Sequence, residues 1–325
     1  MARLTCRCSN GFCTQSFKEA PPGSDVAKRN LDVHIGRPVG RAGIRHGPDV
    51  TVIQKALNRV PVDLGGPGTA LKEDGIVGPK TLGAIEAFQR HHFGFSDGTV
   101  EVRRRTQAKL SSMQPTKLAR MKNAVRFLNT ALSCVTAAET QLLSARAGDP
   151  RSWALIERHF GLQQNSAGAQ VDFVMNIYRN MRMVFARTGM FGNTGWSMYF
   201  EAEPFTNPGI FAFTCGNGWR EMGQYGGIAD SDTHEDLHWF RHDTVYLSGF
   251  FDRTTDDDRI QTLVHELSHF VGGASGGANS IDDHAYGDWN APEMRALSTH
   301  KKTRNAECYG NFAFDARFLR SPRHM

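Results

Sequence analysis

The sequence predicts an α+β chain, with a small three-helix domain followed by a mainly helical domain that carries a small sheet. Three observations predict it. Between residues 45 and 112, three short helical patterns alternate with two Asp-Gly turns. From residue 117 onward, long amphipathic stretches dominate. Ahead of a buried helical pattern at 262–273, aromatic and β-branched segments have strand character. The 325 residues suffice for two cores, and 40% hydrophobic with 22% charged residues is ordinary globular composition. No apolar run approaches a membrane span.

Residues 1–42 read as an arm or linker, polar and rich in Gly, Pro and basic residues ("EAPPGSDVAKRN", "IGRPVGRAG"). The start, "MARLTCRCSNGFCTQSF", has an early arginine but no apolar h-region, so a classical secretory signal is not expected. Cys6, Cys8 and Cys13 crowd this arm. Their C-x-C-x4-C spacing lacks the usual pairing and a fourth metal ligand, and reads as flexible chain with reduced thiols. Cys134, Cys215 and Cys308 are scattered and leave room for one disulfide. The net charge of +5 favours anionic surroundings but is too small and dispersed to argue for nucleic acid. The densest basic cluster, "EVRRRTQAK", reads as a solvated face.

The first domain is expected over 43–113. Its first helix lies in "DVTVIQKALNRV", with Asp49 or Thr51 as N-cap. The second, "PKTLGAIEAFQRHHFG", has Pro79 near its first turn and Leu82, Ile85 and Phe88 at helical spacing. A third, "VEVRRRTQAKL", closes the unit. The turns "EDGIVG" and "SDGTV" have similar form and precede similar helices. Ile53, Gln54, Leu57, Asn58, "DGIVGPKT" (Asp74 to Thr81), Phe88, Gln89, "DGTV" and Leu110 carry a likeness. Through them the stretch resembles the small peptidoglycan-binding domain of bacterial wall enzymes. That resemblance implies a three-helix fold and peptidoglycan as a partner. Most matched positions are turn and core residues, so it speaks to fold more than to binding.

"SSMQPTK" marks the boundary to a second domain over 114–325. Helical patterns fill "KLARMKNAVRFLNTALSCVTAAETQLLSARAG", "DPRSWALIERHFG" and "VDFVMNIYRNMRMVFART". "WSMYFEA", "IFAFTC" and "TVYLSGFF" read as strands. In "TLVHELSHFVGG", Leu263, Val264, Leu267, Phe270 and Val271 give a buried helix that Gly272 and Gly273 stop. His265 and His269 project from one face, one turn apart, as two imidazoles sharing a metal must. Glu266 sits on the neighbouring edge, within reach of a metal-held water. Two solvated histidines on an ordinary helix are the alternative, and the apolar surroundings oppose it.

A zinc held by this pair needs a third protein ligand and an open position. The pattern H-E-x-x-H-x-x-G-x-x-H fails because Ser275 stands at its last position. A glutamate from a following helix is available as Glu293 or Glu307. An aspartate is available in "SIDDHAYG" as Asp283, with Tyr286 and Gly287 after it. "VYLSGFF", "TLVHELSHF", "DDHAYG" and "NAECYGNFAF", over roughly residues 118–316, make the chain resemble the deuterolysin-like aspzincin metallopeptidases, including the fungal lysine-specific metallo-endopeptidases.

That resemblance implies a zincin-like domain with one Zn2+ on His265, His269 and Asp283. Asp282 competes for the third place. Glu266 would act as general base and Tyr286 as oxyanion donor. Where the lysine-specific members have two acids in N-A-D-x-Y-E, this chain has Glu307 and Gly310. Glu307 is then the candidate for pairing a basic substrate residue. Ser280 and Ile281 depart from the family's G-T before the aspartate, and the loop "FVGGASGGANSID" is long and glycine-rich. His234, His238 and His242 in "DTHEDLHWFRHD" could form a second metal stripe but read as a solvated or cleft-lining helix.

Together these readings lead to a zinc-dependent endopeptidase directed to the bacterial cell wall. Its substrates would be peptidoglycan stem peptides or envelope proteins. The alternative is a catalytically inactive peptidoglycan-binding protein, which would have no use for Glu266. The missing h-region leads to a chain made in the cytoplasm and acting in the periplasm or at the wall after non-classical export. It would be a lysin, or an antibacterial effector with a cognate immunity protein or a secretion-machine component as partner.

Overall fold

Two buried glutamines organise the N-terminal unit. The computed structural model describes residues 4–9, 12–17, 32–102, 104–165, 168–185, 189–190, 199–202, 212–214, 244–247, 251–272 and 280–323. Helix α1 (Pro48–Asn58) presents Gln54 to the first Asp-Gly turn. The Gln54 amide nitrogen lies 3.1 Å from Asp74 Oδ1, 3.0 Å from the Ile76 carbonyl and 3.2 Å from Thr81 Oγ1. Its oxygen accepts from the Gly75 N–H at 2.9 Å. Helix α2 (Pro79–Phe93) repeats the device. Gln89 reaches Asp97 Oδ1 at 2.7 Å, the Thr99 carbonyl at 2.9 Å and Thr106 Oγ1 at 3.2 Å, and accepts from the Gly98 N–H at 2.9 Å. Gly75 and Gly98 have φ of 72° and 71°, the left-handed region that a side chain disfavours. The similar turns therefore exist because each is tied to the preceding helix and to a threonine of the next. Gln54→Leu strands the Gly75 N–H and is expected to cost about 1–3 kcal/mol in urea unfolding. An unchanged midpoint would show that water replaces the amide.

Helix α1 is capped at Gly47, before both Asp49 and Thr51, the expected caps. Gly47 has φ 117°, and Pro48 fills the first helical position, where its missing N–H costs nothing. The Asp49 carboxylate instead accepts the N–H groups of Gly36 and Arg37 at 3.2 and 3.1 Å. The third helix also differs. Val100 belongs to strand β4 (Thr99–Val100), which pairs antiparallel with β3 (Val39–Gly40), so α3 is confined to Arg105–Ser112. Val33, Ile35 and Val39 are buried with Ile53, Leu57, Phe88 and Leu110, so the packed unit reaches back into the stretch read as an arm. Nearer the start, β1 (Leu4–Ser9) and β2 (Phe12–Phe17) pair antiparallel. In sequence, Asn10 and Gly11 stand between them, a favoured two-residue hairpin connection.

The second core is built on α4 (Pro115–Arg146). Leu118 still packs with the first core, whereas Met121 and the buried residues after it join the second. Helix α5 (Pro150–Phe160) starts at Asp149, whose carboxylate accepts the Ser152 N–H at 2.8 Å. Helix α6 (Gly168–Phe185) lies against α4. A four-stranded sheet follows, made of β5 (Gly189–Met190), β6 (Tyr199–Ala202), β7 (Ala212–Thr214) and β8 (Thr244–Leu247). Its order is β5-β6-β8-β7, parallel except for the last pair. His234, His238, His242 and Cys215 lie outside the described residues.

Helix α7 (Asp256–Gly272) carries the H-E-x-x-H residues and packs against α4, α6 and α10 (Ala306–Phe318). Two short helices, α8 (Pro292–Arg295) and α9 (Thr299–Lys302), precede α10. Phe160 of α5, Tyr178 of α6, and Tyr309 and Phe312 of α10 form an aromatic cluster, and each such buried ring contributes about 1.5–3 kcal/mol of transfer free energy. The tail returns to the start of α7, where Arg320 holds Asp257 through two hydrogen bonds of 2.5 and 3.0 Å. Cys134 and Cys308 are buried free thiols, so these two of the three scattered cysteines are not joined to each other. Among the described residues, no helix is long and apolar enough to cross a membrane.

Candidate metal centre

Helix α7 is nearly all buried from Ile260 to Gly272, because it runs between helices rather than over them. Its helical spacing puts His265 and His269 on one side, with ring centroids 5.0 Å apart. Gly272 ends the helix and admits the returning chain. A Cβ there would stand 2.3 Å from Ile281 Cγ1, so only glycine allows that approach. Ile281 then offers its carbonyl to His269 Nδ1 at 2.7 Å. Two residues on, Asp283 meets both imidazoles.

Three atoms converge. Asp283 Oδ1 is 3.1 Å from His265 Nε2 and 3.2 Å from His269 Nε2, and the two nitrogens are 3.2 Å apart. Both Nδ1 atoms have acceptors, since His265 Nδ1 lies 3.0 Å from Glu307 Oε2 and His269 Nδ1 faces the Ile281 carbonyl. With the ring protons on Nδ1, both Nε2 lone pairs point into the triangle. Asp283 Oδ1 is buried without a hydrogen bond. Three acceptors with no proton among them repel one another unless a cation sits between. Tetrahedral zinc with bonds of about 2.0–2.1 Å holds its ligand atoms roughly 3.3–3.4 Å apart, close to this triangle. The residues fit zinc.

Without an ion, protons take the cation's place at the triangle, and the charges show how strongly it draws positive charge. Burial opposes a charged His265, but Asp283 and then Glu307 outweigh it and hold the imidazole well above its ordinary value. His269 is pushed up to about 9 against burial, chiefly by Asp283. Burial would raise Asp283, yet the charges of His269 and His265 hold it well below the usual carboxylate range. Glu266 is raised by burial, and the two histidines partly offset the rise.

Residues 46–101 match the family model described as "Putative peptidoglycan binding domain". Among solved structures, a zinc peptidase from Grifola frondosa is similar at 21% identity and a TM-score of 0.40, covering 62% of this chain and 96% of that one. A likeness at that level decides neither fold nor activity. No curated protein matches the chain in sequence.

The structure brings His265, His269 and Asp283 together, with Glu266 close enough to feel the charges of all three. Asp282 is turned away. Its carboxylate accepts from Ser280 Oγ at 2.8 Å, and its backbone pairs with Arg304 and Ala306. Glu293 lies in the first turn of α8, outside the three-residue group. The Tyr286 ring stacks on His265 with centroids 6.0 Å apart, and its hydroxyl hydrogen-bonds to Asp283. Burial and Asp283 raise its phenol, so it remains a donor at neutral pH.

Glu307, the candidate for pairing a basic substrate residue, is 6% exposed and turned to the protein. Its Oε2 accepts from His265 Nδ1 and from Gln261 Nε2 at 2.9 Å, and its Oε1 accepts the Gly287 N–H at 3.2 Å. The sequence reading missed two residues. Gln261 stands four before His265, and that spacing was the available signal. Asn305, fully buried, accepts the N–H groups of His284 and Ala285 at 2.8 and 3.3 Å and so holds the chain just after Asp283.

Proposed function

We propose that this chain is a zinc-dependent endopeptidase directed to the bacterial cell wall. The convergence of His265 Nε2, His269 Nε2 and Asp283 Oδ1 around one point carries the reading, with Glu266 adjacent. The family match over residues 46–101 supports peptidoglycan as the surface it works on. Bound at the triangle, zinc would supply Lewis acidity, bringing the ionisation of a water toward pH of about 7. Glu266 takes a proton from the attacking water and delivers it to the leaving amine. Its burial raises its proton affinity toward that task. Tyr286 turns its hydroxyl from Asp283 to the oxygen that gains charge when the peptide carbonyl is attacked. His265 and His269 are kept in one tautomer by Glu307 and the Ile281 carbonyl.

Digestion of purified peptidoglycan and of a denatured protein in parallel tests this, read by mass spectrometry with chelated protein as control. New muropeptides from the metal-loaded chain alone are expected. Protein fragments alone would move the substrate to envelope proteins. No product from either, with zinc bound, would overturn the enzyme reading in favour of a wall-binding protein.

A further inference from the structure

We propose that Glu307 is a positioning residue for the metal ligand His265. The inference rests on the metal-centre reading above. Both Glu307 oxygens are committed, Oε2 to His265 Nδ1 and Gln261 Nε2, and Oε1 to the Gly287 N–H. A carboxylate this buried needs donors in place of water, and here three converge on it. It also stands in the first turn of α10, where the helix terminus favours negative charge.

The route of Gln261 depends on one further position. A Cβ on Gly310 would lie 2.7 Å from Gln261 Nε2, so the amide passes over α10 only because residue 310 has no side chain. Gly310 replaces the second acid of the resembling family's stretch. Its effect in this chain is to admit a neutral amide that holds the remaining acid against His265. A substrate ammonium could reach Glu307 only by displacing Gln261 or breaking the bond to His265. The carboxylate instead directs the Nε2 lone pair of His265 at the metal point and raises its basicity, as outer partners of ligating histidines do.

Zinc affinity of the full chain, measured by competition with a chromophoric chelator at neutral pH, tests the assignment. Glu307→Gln removes the charge and sets its amide against the Gly287 N–H. It is expected to weaken zinc binding about 10–100-fold. Gly310→Ala, which displaces Gln261 without touching Glu307, should weaken it in the same direction by a smaller factor. Phe314→Leu, a core change on the same helix, should leave the affinity within about twofold, which separates positioning from general loosening of α10. Circular dichroism confirms that each variant is folded before titration. Glu307→Gln that is folded and binds zinc as tightly as the wild type overturns the assignment. A wild-type chain that takes up no zinc overturns the metal centre itself, and the role of Glu307 with it.

Discussion

Glu266→Gln is expected to lower kcat/KM by about 10²–10⁴-fold while leaving zinc bound. The reasoning is geometric. Zinc would be held by His265, His269 and Asp283, and Glu266 belongs to none of the three bonds. Glutamine keeps the size and shape of the side chain and has similar helix propensity, so α7 should stay intact. What is lost is the group that receives a proton from water and returns it to the amine. Burial raises that carboxyl, partly offset by the two histidines, so its proton affinity lies nearer the working pH than an exposed glutamate's. Metal content by atomic absorption and hydrolysis of the wall or protein substrate check the two halves of the prediction. A variant that keeps its activity would remove Glu266 from the proton path. One that loses zinc would make it part of the metal's support.

Several parts of this arrangement were legible in residue order, for identifiable reasons. The apolar spacing around His265 reports a buried helix because burial leaves a periodic trace. The pair His265 and His269 reports a shared face because the helix has fixed geometry. The repeated Asp-Gly turns report a repeated structure, although the glutamines that tie them are separated from them by 8 to 22 residues and leave no local pattern. What was not legible depends on which lone pair faces which proton. Glu307 has the composition of a substrate-facing acid. Only the meeting of α7 with α10 shows its oxygens spent on His265, Gln261 and Gly287. The cap of α1 was misread because Asp49 is a good N-cap by type, while Pro48 before it already fixes the first turn. Val33 and Ile35 were absorbed into an arm because two apolar residues among polar ones make no periodic signal, although both are buried.

Asp283→Ala and Asp282→Ala should part sharply, though adjacent and chemically alike at the outset. Asp283→Ala is expected to weaken zinc binding by more than about 100-fold, since even the loss of an outer partner costs 10–100-fold and a direct bond should exceed that. Its Oδ1 is the one oxygen of the triangle and is buried without a hydrogen bond, so no neighbouring group is placed to replace it. Its removal leaves two imidazole nitrogens 3.2 Å apart, each with a lone pair and no anion between them. Asp282→Ala should keep zinc affinity within a few fold. The lost carboxylate accepts from Ser280 Oγ and is not one of the three converging atoms, while the backbone pairing with Arg304 and Ala306 that places the loop survives the substitution. Competition titration of both variants, with circular dichroism of the metal-free chains, decides the matter. Equal zinc affinity in the two would mean that the third ligand lies elsewhere, and that the unshared oxygen of Asp283 serves something other than a metal. Loss of zinc on Asp282→Ala alone would mean that the loop turns over by one residue when the ion enters, exchanging the partners of Ser280 and of the histidines.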